Sequence, residues 1–227
     1  DTLAVRVPAH TGAQAFLKEI GIPIVAPSAN LSRHVSPTSA QHVFDDFNGS
    51  IPLILDGGEC TGGIESTVCD CTGDVPVVLR PGLITREMIA SVVGACEQYV
   101  ADPKKGEKVK SPGVLYKHYS PRCKTVLFSA KNAKNAFSAY EALSLENKGI
   151  AVLCEEKWIC GFEKMGAKCL NLGKNQAEMA MRLYKCLREA ETLCDTLIVI
   201  EPAQTDGVME GVLNRLRKAC ASEDIPH

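Results

Sequence analysis

Aromatic residues are scarce in this 227-residue chain, 5% with a single tryptophan, and no apolar run reaches the roughly 18 residues that span a bilayer. A membrane protein is therefore not expected, and the cytoplasm is the expected compartment. Charge of one sign is lacking too. The 25 Lys and Arg against 27 Asp and Glu leave a formal net charge of -2, so no global positive field draws in nucleic acid; a local basic cleft remains compatible. The most basic run, Lys104, Lys105, Lys108 and Lys110, is broken by Gly106 and Glu107 and reads as a solvated linker. No Gly-x-Gly-x-x-Gly and no Gly-x-x-x-x-Gly-Lys-Ser/Thr occurs, which removes the two common phosphate cradles. No Gly-x-Ser-x-Gly and no His-Glu-x-x-His occurs either. The eleven cysteines contain no Cys-x-x-Cys, and Cys69 and Cys71 would face the same way on a strand, a poor start for tetrahedral zinc. They read as reduced, mostly buried thiols, and no metal site is expected.

What is present is alternation of strand and helix signals. In the first hundred residues the pattern predicts strands at 3–7, 22–26 and 51–56, and helices at 13–20 and from Ser36-Pro37-Thr38 through Phe47. Two more strands, 66–71 and 75–80, flank the turn Thr72-Gly73-Asp74 as a hairpin, and Thr85 caps a helix ending near Val93. The chain opens inside a strand pattern, without an initiator Met or a basic leader, which predicts that the natural protein begins earlier.

Composition then shifts. Residues 100–121 are polar and Gly/Pro-punctuated, as linkers are, yet carry the aromatic-rich cluster Tyr116, His118 and Tyr119. From 122 the pattern predicts strands at 124–128, 149–153, 168–172 and 196–200, and helices at 132–143, 176–193 and 207–220. That rhythm implies a small parallel sheet flanked by helices. Three segments are thus expected: a first domain over 1–99, a linker over 100–121, and a small α/β domain over 122–227.

Polar residues gather where the first domain's strands start or end: Arg6, Ser28 and Asn30, Ser66 and Thr67, and Arg80. Strand ends in sheets with helical connections are where ligands collect. Arginine binds carboxylate or phosphate bidentately, and Ser, Thr and Asn orient ligands with directional hydrogen bonds. None of them is a nucleophile beside a base, so positioning and electrostatics are the expected means of catalysis. No catalytic residue is assigned. Individually, Ser28 and Asn30 read equally as turn residues and Arg80 as a surface charge.

Taken together and in order, the segments Thr2-Leu-Ala-Val-Arg-Val-Pro8, Ala26-Pro-Ser-Ala-Asn-Leu-Ser32 with Ser36-Pro-Thr38, Leu55-Asp-Gly-Gly58, Gly63-Ile-Glu-Ser-Thr-Val68 and Val78-Leu-Arg-Pro-Gly82 closely resemble the second half of a YrdC-like domain. Ser111-Pro-Gly-Val-Leu-Tyr-Lys-His-Tyr-Ser-Pro121 and Asn214-Arg-Leu-Arg-Lys-Ala219 resemble the linker and the close of the long, two-domain threonylcarbamoyl-AMP synthase form of that family. The resemblance implies an α/β fold: the C-terminal portion of a YrdC-like twisted-sheet domain, then a small Rossmann-like parallel domain.

It also implies an activity, the conversion of L-threonine, bicarbonate and ATP into threonylcarbamoyl-AMP and pyrophosphate for tRNA modification. By resemblance, Arg6, Ser28 and Ser66 hold the threonine, while Thr2, Asn30, Thr38 and Arg80 contact the ATP. Tyr116, His118 and Tyr119 lie in a linker that folds over the cleft as a water-excluding lid. Mg²⁺ comes with the ATP and is held mainly by phosphates. Implied partners are tRNA-modification proteins downstream and a weak contact with tRNA. The family's upstream half carries a Lys/Arg set that grips the triphosphate; nothing before Asp1 supplies it, so residues 1–227 alone are expected to be inactive. Gly113 is followed by Val114 where the family usually has Met, an apolar exchange. Two rivals stand beside this reading. A YrdC-type carbamoyltransferase of the hydrogenase-maturation kind would need zinc-finger Cys-x-x-Cys pairs and a larger acceptor domain. The other is a module that binds nucleotide or RNA without turnover.

Overall fold

The structure, a computed structural model, describes residues 2–99, 119–146 and 149–220. Two sheets organise it. The first half supplies helices α1 (Thr11–Ile20) and α2 (Ala40–Phe47), strands β1 (Val68–Asp70) and β2 (Val77–Arg80), helix α3 (Arg86–Val93) and the short strand β3 (Glu97–Gln98). The sheet order is β1-β2-β3, with β1 and β2 antiparallel and β2 and β3 parallel. The hairpin expected across Thr72–Asp74 is thus present, though shorter. Helix α3 begins as expected, with the Thr85 side chain accepting from the Met88 N–H.

The second half is β4 (Lys124–Phe128), a 3-10 turn and α4 (Ala133–Glu146), β5 (Ile150–Glu155), α5 (Glu156–Glu163), β6 (Lys168–Gly173), α6 (Gln176–Leu193), β7 (Thr196–Ile200) and α7 (Val208–Ala219). Its four strands are all parallel in the order β4-β7-β5-β6. A parallel sheet covered on both faces needs strands that are apolar throughout, and β5 and β7 are buried along nearly their whole length. Successive residues then feed opposite cores. Ala151, Leu153, Leu197 and Val199 pack against Leu183 and Leu187 of α6 and Val212 and Leu216 of α7. Val152, Cys154, Ile198 and Ile200 face Ala136 and Tyr140 of α4 and Phe162 of α5, where Phe137 stacks on Phe162 at 4.0 Å. Helix α6 starts at Asn175, whose side chain accepts from the Glu178 N–H, while the Glu178 carboxylate accepts from the Lys174 N–H.

The first half is built differently. Among its described residues, Val35 and Val78 are the buried apolar side chains. The segments 3–7, 22–26 and 51–56 expected as strands pair with no other strand among the described residues. Their alternating apolar side chains face outward, with Leu3 87%, Val5 78%, Val7 83% and Leu53 71% exposed. A strand is defined by its ladder, so an alternating pattern without a neighbour stays unpaired. The second helix begins four residues later than Ser36, capped by the Ser39 hydroxyl; Ser36 is buried against Glu65 and Arg188, and Thr38 is buried beside His42. Gly63 lies on that seam at φ 63°, its Cα against the Ala180 and Met181 backbone of α6, where any Cβ would collide. All eleven cysteines are free; Cys154, Cys186, Cys194 and Cys220 are buried, whereas Cys60, Cys71 and Cys160 are exposed, so the expectation of mostly buried thiols is only partly met.

Removing the Leu187 side chain, fully buried under β5 and β7, is expected to cost about 2–5 kcal/mol. Thermal denaturation of Leu187→Ala measures this directly, as a fall in Tm with the far-UV spectrum retained.

Candidate functional site

The two halves meet along a polar seam, and its centre is Glu65. Its Oε1 accepts from the Ser36 hydroxyl at 2.7 Å and the Tyr184 hydroxyl at 2.9 Å. Its Oε2 accepts from Tyr184 at 2.8 Å and from Arg215 Nε at 2.8 Å. Arg215 of α7 is fully buried. Its remaining N–H groups reach backbone carbonyls: Nη1 donates to Pro81 and to Gly211 (3.2 Å), and Nη2 to Glu65 (3.2 Å). Burial alone would raise the pKa of Glu65. The Arg215 charge and the hydrogen bonds from Arg215, Ser36 and Tyr184 together outweigh it and hold the carboxyl below its ordinary value of 4.5.

A second buried pair lies one turn along α6. Arg188 forms a bidentate pair with Asp46 of α2, Nη1 to Oδ1 at 3.1 Å and Nη2 to Oδ2 at 2.7 Å. It also donates to the Val35 and Ser36 carbonyls. Burial would raise the pKa of Asp46 as well, and the Arg188 bonds and charge outweigh it. His34 bridges Asp46 (3.1 Å) and Glu191 of α6 (2.8 Å).

The residues expected to hold ligands lie on the loops that this seam fixes. Ser66 follows Glu65 and is exposed; its carbonyl accepts from Arg80 Nη2 at 2.9 Å, so two of the residues expected to hold ligands are brought together. Thr67 donates to the Ile84 carbonyl at 2.6 Å, which ties the same loop to the start of α3. Ser28 is exposed and Asn30 half-buried, with the left-handed Ala29 (φ 55°) between them. The Asn30 amide donates to the Leu31 and His34 carbonyls, at 2.7 and 3.1 Å. Thr38 is buried: its N–H donates to His42 Nδ1 at 3.1 Å and its hydroxyl lies 3.3 Å from that nitrogen. Thr2 and Arg6 are exposed, Arg6 within the unpaired 3–7 segment and Thr2 immediately before it. Tyr116 and His118 lie outside the described residues. Tyr119 is left-handed (φ 66°) and packs on Tyr184 with ring centroids 5.3 Å apart, which carries the end of the linker to the Glu65 cluster. Burial and then the Glu65 charge push its hydroxyl pKa up.

Two details bear on ligand binding. Asn30 Oδ1 and Arg80 Nε are buried with no hydrogen-bond partner, an arrangement that proteins otherwise avoid. A cavity of about 540 Å³ borders the loop after Asn30 and the chain after Tyr119, spanning 31–34 and 120–122. Among the described residues no three His, Cys, Asp or Glu side chains are grouped to hold a metal ion. Lys218 of α7 stands close enough to Arg215 and Arg80 that burial and those charges lower its pKa.

Sequence reasoning quoted Ser36, Glu65 and Arg215 inside motifs but gave none of them a role in the site, and it passed over Asp46, Tyr184 and Arg188. A signal was available. Arg215 falls on the stripe of Val208, Val212 and Ala219, and an arginine on the apolar face of a helix announces a buried partner.

The fold and the seam define a two-part α/β protein in which a parallel-sheet half clamps a set of polar loops. Comparison with known proteins narrows that class. The family model for the threonylcarbamoyl-AMP synthase C-terminal domain matches residues 84–221, and the chain belongs to that family. A second model, described as telomere recombination, matches residues 1–82. Proteins named threonylcarbamoyl-AMP synthase are similar along nearly the whole chain: one from Schizosaccharomyces pombe is 36% identical over 97% of this chain and 57% of its own length. One from Bacillus subtilis is 35% identical over 99% of this chain and 65% of its own. A crystal structure of Pyrococcus abyssi Sua5 complexed with L-threonine superimposes with a TM-score of 0.82 at 36% identity, covering 96% of this chain and 64% of that one. The chain thus spans 57–65% of the length of these relatives.

Both seam carboxylates have folded-state pKa values below the ordinary 4.5 and 3.8, so their stabilisation is full above those values and is lost as pH falls through the folded ones. Tm is expected to hold between neutral pH and about 5 and to drop below about 4.5. Glu65→Gln leaves Arg215 buried without its counter-charge and is expected to cost about 3–5 kcal/mol in chemical denaturation at pH 7.

Proposed function

We propose that the protein carrying this chain forms threonylcarbamoyl-AMP from L-threonine, bicarbonate and ATP. The threonine amine adds to bicarbonate, losing water to give the N-carboxylate. A carboxylate oxygen of that carbamate then attacks the α-phosphorus of ATP, and pyrophosphate leaves. The observation that carries this reading is similarity to synthases from a yeast, a bacterium and an archaeon over 96–99% of the chain, across both the loops and the seam. The Pyrococcus abyssi structure with L-threonine supports threonine as the amino-acid substrate.

In this reading the Arg6 guanidinium takes the threonine carboxylate, and Ser28 and Ser66 orient the amine and hydroxyl. Thr2, Asn30, Thr38 and Arg80 face the nucleotide; the unpartnered Asn30 Oδ1 and Arg80 Nε are the atoms left to a ligand. Thr38 enters through its place in the fixed loop, since its hydroxyl is already beside His42. Tyr119, with Tyr116 and His118, closes the cleft and keeps water from a labile carbamate. Mg²⁺ would accompany ATP, coordinated mainly by phosphates and water. The carbamoyl-adenylate then passes to proteins that modify tRNA, with a weak tRNA contact in this protein, which functions in the cytoplasm. The boundaries proposed for the whole arrangement are 1–99, 100–121 and 122–227.

The full-length protein, incubated with bicarbonate and labelled ATP, is expected to release pyrophosphate only when threonine is added; threonine-independent release, or none, refutes the synthase reading. Calorimetry tests the site separately. Asn30→Ala and Arg80→Ala should each weaken ATP binding about tenfold to a hundredfold, as expected for lost hydrogen bonds to a charged ligand, and unchanged affinity would remove that residue from the nucleotide site.

A further inference from the structure

We propose that Tyr184 and Arg215, both contributed by the C-terminal part of the chain, are positioning residues for the substrate loops, and that Glu65 is the hub through which they act. The proposal rests on the synthase reading above and adds a reason for that reaction to need the parallel-sheet half.

The geometry is specific. Arg215 holds the carbonyls of Glu65 and Pro81, which are the residues immediately before Ser66 and immediately after Arg80. One guanidinium therefore sets the separation of a threonine-side and a nucleotide-side residue, and the Arg80 to Ser66 bond closes that frame. The Glu65 carboxylate extends it through the Ser36 hydroxyl to the loop that ends at Thr38. Tyr184 completes the carboxylate and also supports Tyr119 of the proposed lid. With donors on both oxygens, the Glu65 carboxylate is committed to holding the seam.

The backbone at this point has no slack. A Cβ on Gly82 would lie 2.5 Å from the Thr67 nitrogen, and one on Gly211 of α7 would lie 3.3 Å from the Gly82 Cα. Helix α7 and the loop ends are thus packed nearly backbone to backbone, and a shift of the helix moves Ser66 and Arg80 with it. Displacement of about 1 Å at reacting groups is enough to cost about a hundredfold in rate.

Tyr184→Phe removes the hydroxyl bonds to Glu65 and leaves the ring in place. In the full-length protein it is expected to raise the KM for threonine and for ATP about tenfold and to weaken both affinities equally in calorimetry. Arg215→Lys keeps the charge but loses the fork, so a larger loss is expected. Phe162→Leu, on the opposite face of the parallel sheet, is the stability control; it should lower Tm without moving either KM. The proposal is overturned if Tyr184→Phe leaves KM and affinity for both ligands within twofold of the parent. It is equally overturned if Phe162→Leu gives the same kinetic loss at the same fall in Tm. If the parent releases no threonine-dependent pyrophosphate, the synthase reading fails by itself; threonine and ATP affinities of Tyr184→Phe then still decide the positioning role.

Discussion

A guanidinium buried without solvent is the constraint around which this molecule is arranged. Taking a charged group out of water costs several kcal/mol even after relaxation, and the cost is recovered only where each nitrogen finds an acceptor and the charge finds a counter-charge. Arg215 meets that condition with one carboxylate oxygen and three carbonyls. Two of those carbonyls and the carboxylate belong to loops far away in the chain, so the helix can bury Arg215 only if those loops are in place. The dependence runs both ways. Within residues 2–99, Val35 and Val78 are the buried apolar side chains among those described. Among the described residues, the loops of this half are tied to α6 and α7 through Arg188 and Arg215.

An apolar helix face could not replace this arrangement. The loops that dock on α6 and α7 have no ladder or helix to use their carbonyls, and a buried carbonyl without a donor is costly. The Val35, Ser36, Glu65 and Pro81 carbonyls all face the seam. Arginine is the side chain that serves several such acceptors at once, with donors fixed in a fork. Helix α6 uses this at successive turns: Tyr184 and Arg188, four residues apart, lie on one face and meet Glu65 and Asp46 respectively. The exposed pair that Lys185 of the same helix makes with Glu59 shows the contrast, since such surface pairs contribute at most about 1 kcal/mol.

Much of the parallel-sheet half was legible because its signals are local. Thr196–Ile200 and Gln176–Leu193 fall where an unbroken apolar run and a helical stripe put them. Helix α5 was missed, since eight residues following directly on β5, with no side-chain cap, leave no boundary to read. The segments 3–7, 22–26 and 51–56 carry good strand patterns and pair with nothing among the described residues, because pairing is a property of two strands. The site was legible only as a set of residue types. Ser66, Asn30 and Arg80 stood out as polar residues at strand ends, but Glu65 and Arg215 are 150 residues apart, and no local pattern links them.

That separation explains how the loops can be held firmly and still present their side chains. The seam grips carbonyls, together with the side chains of Ser36, Asp46 and Glu65, and leaves the residues between those grips to face outward. Ser66 is exposed although the carbonyl before it is clamped by Arg215 and its own by Arg80. Asn30 spends its amide protons on the loop and keeps its oxygen unpaired. Arg80 spends one terminal nitrogen on Ser66, while its Nε is without a partner. Groups that must change partners as a substrate enters cannot also be the ones that hold the loops. Here the holding falls to buried arginines and carboxylates, while Asn30 Oδ1 and Arg80 Nε stay outside that network.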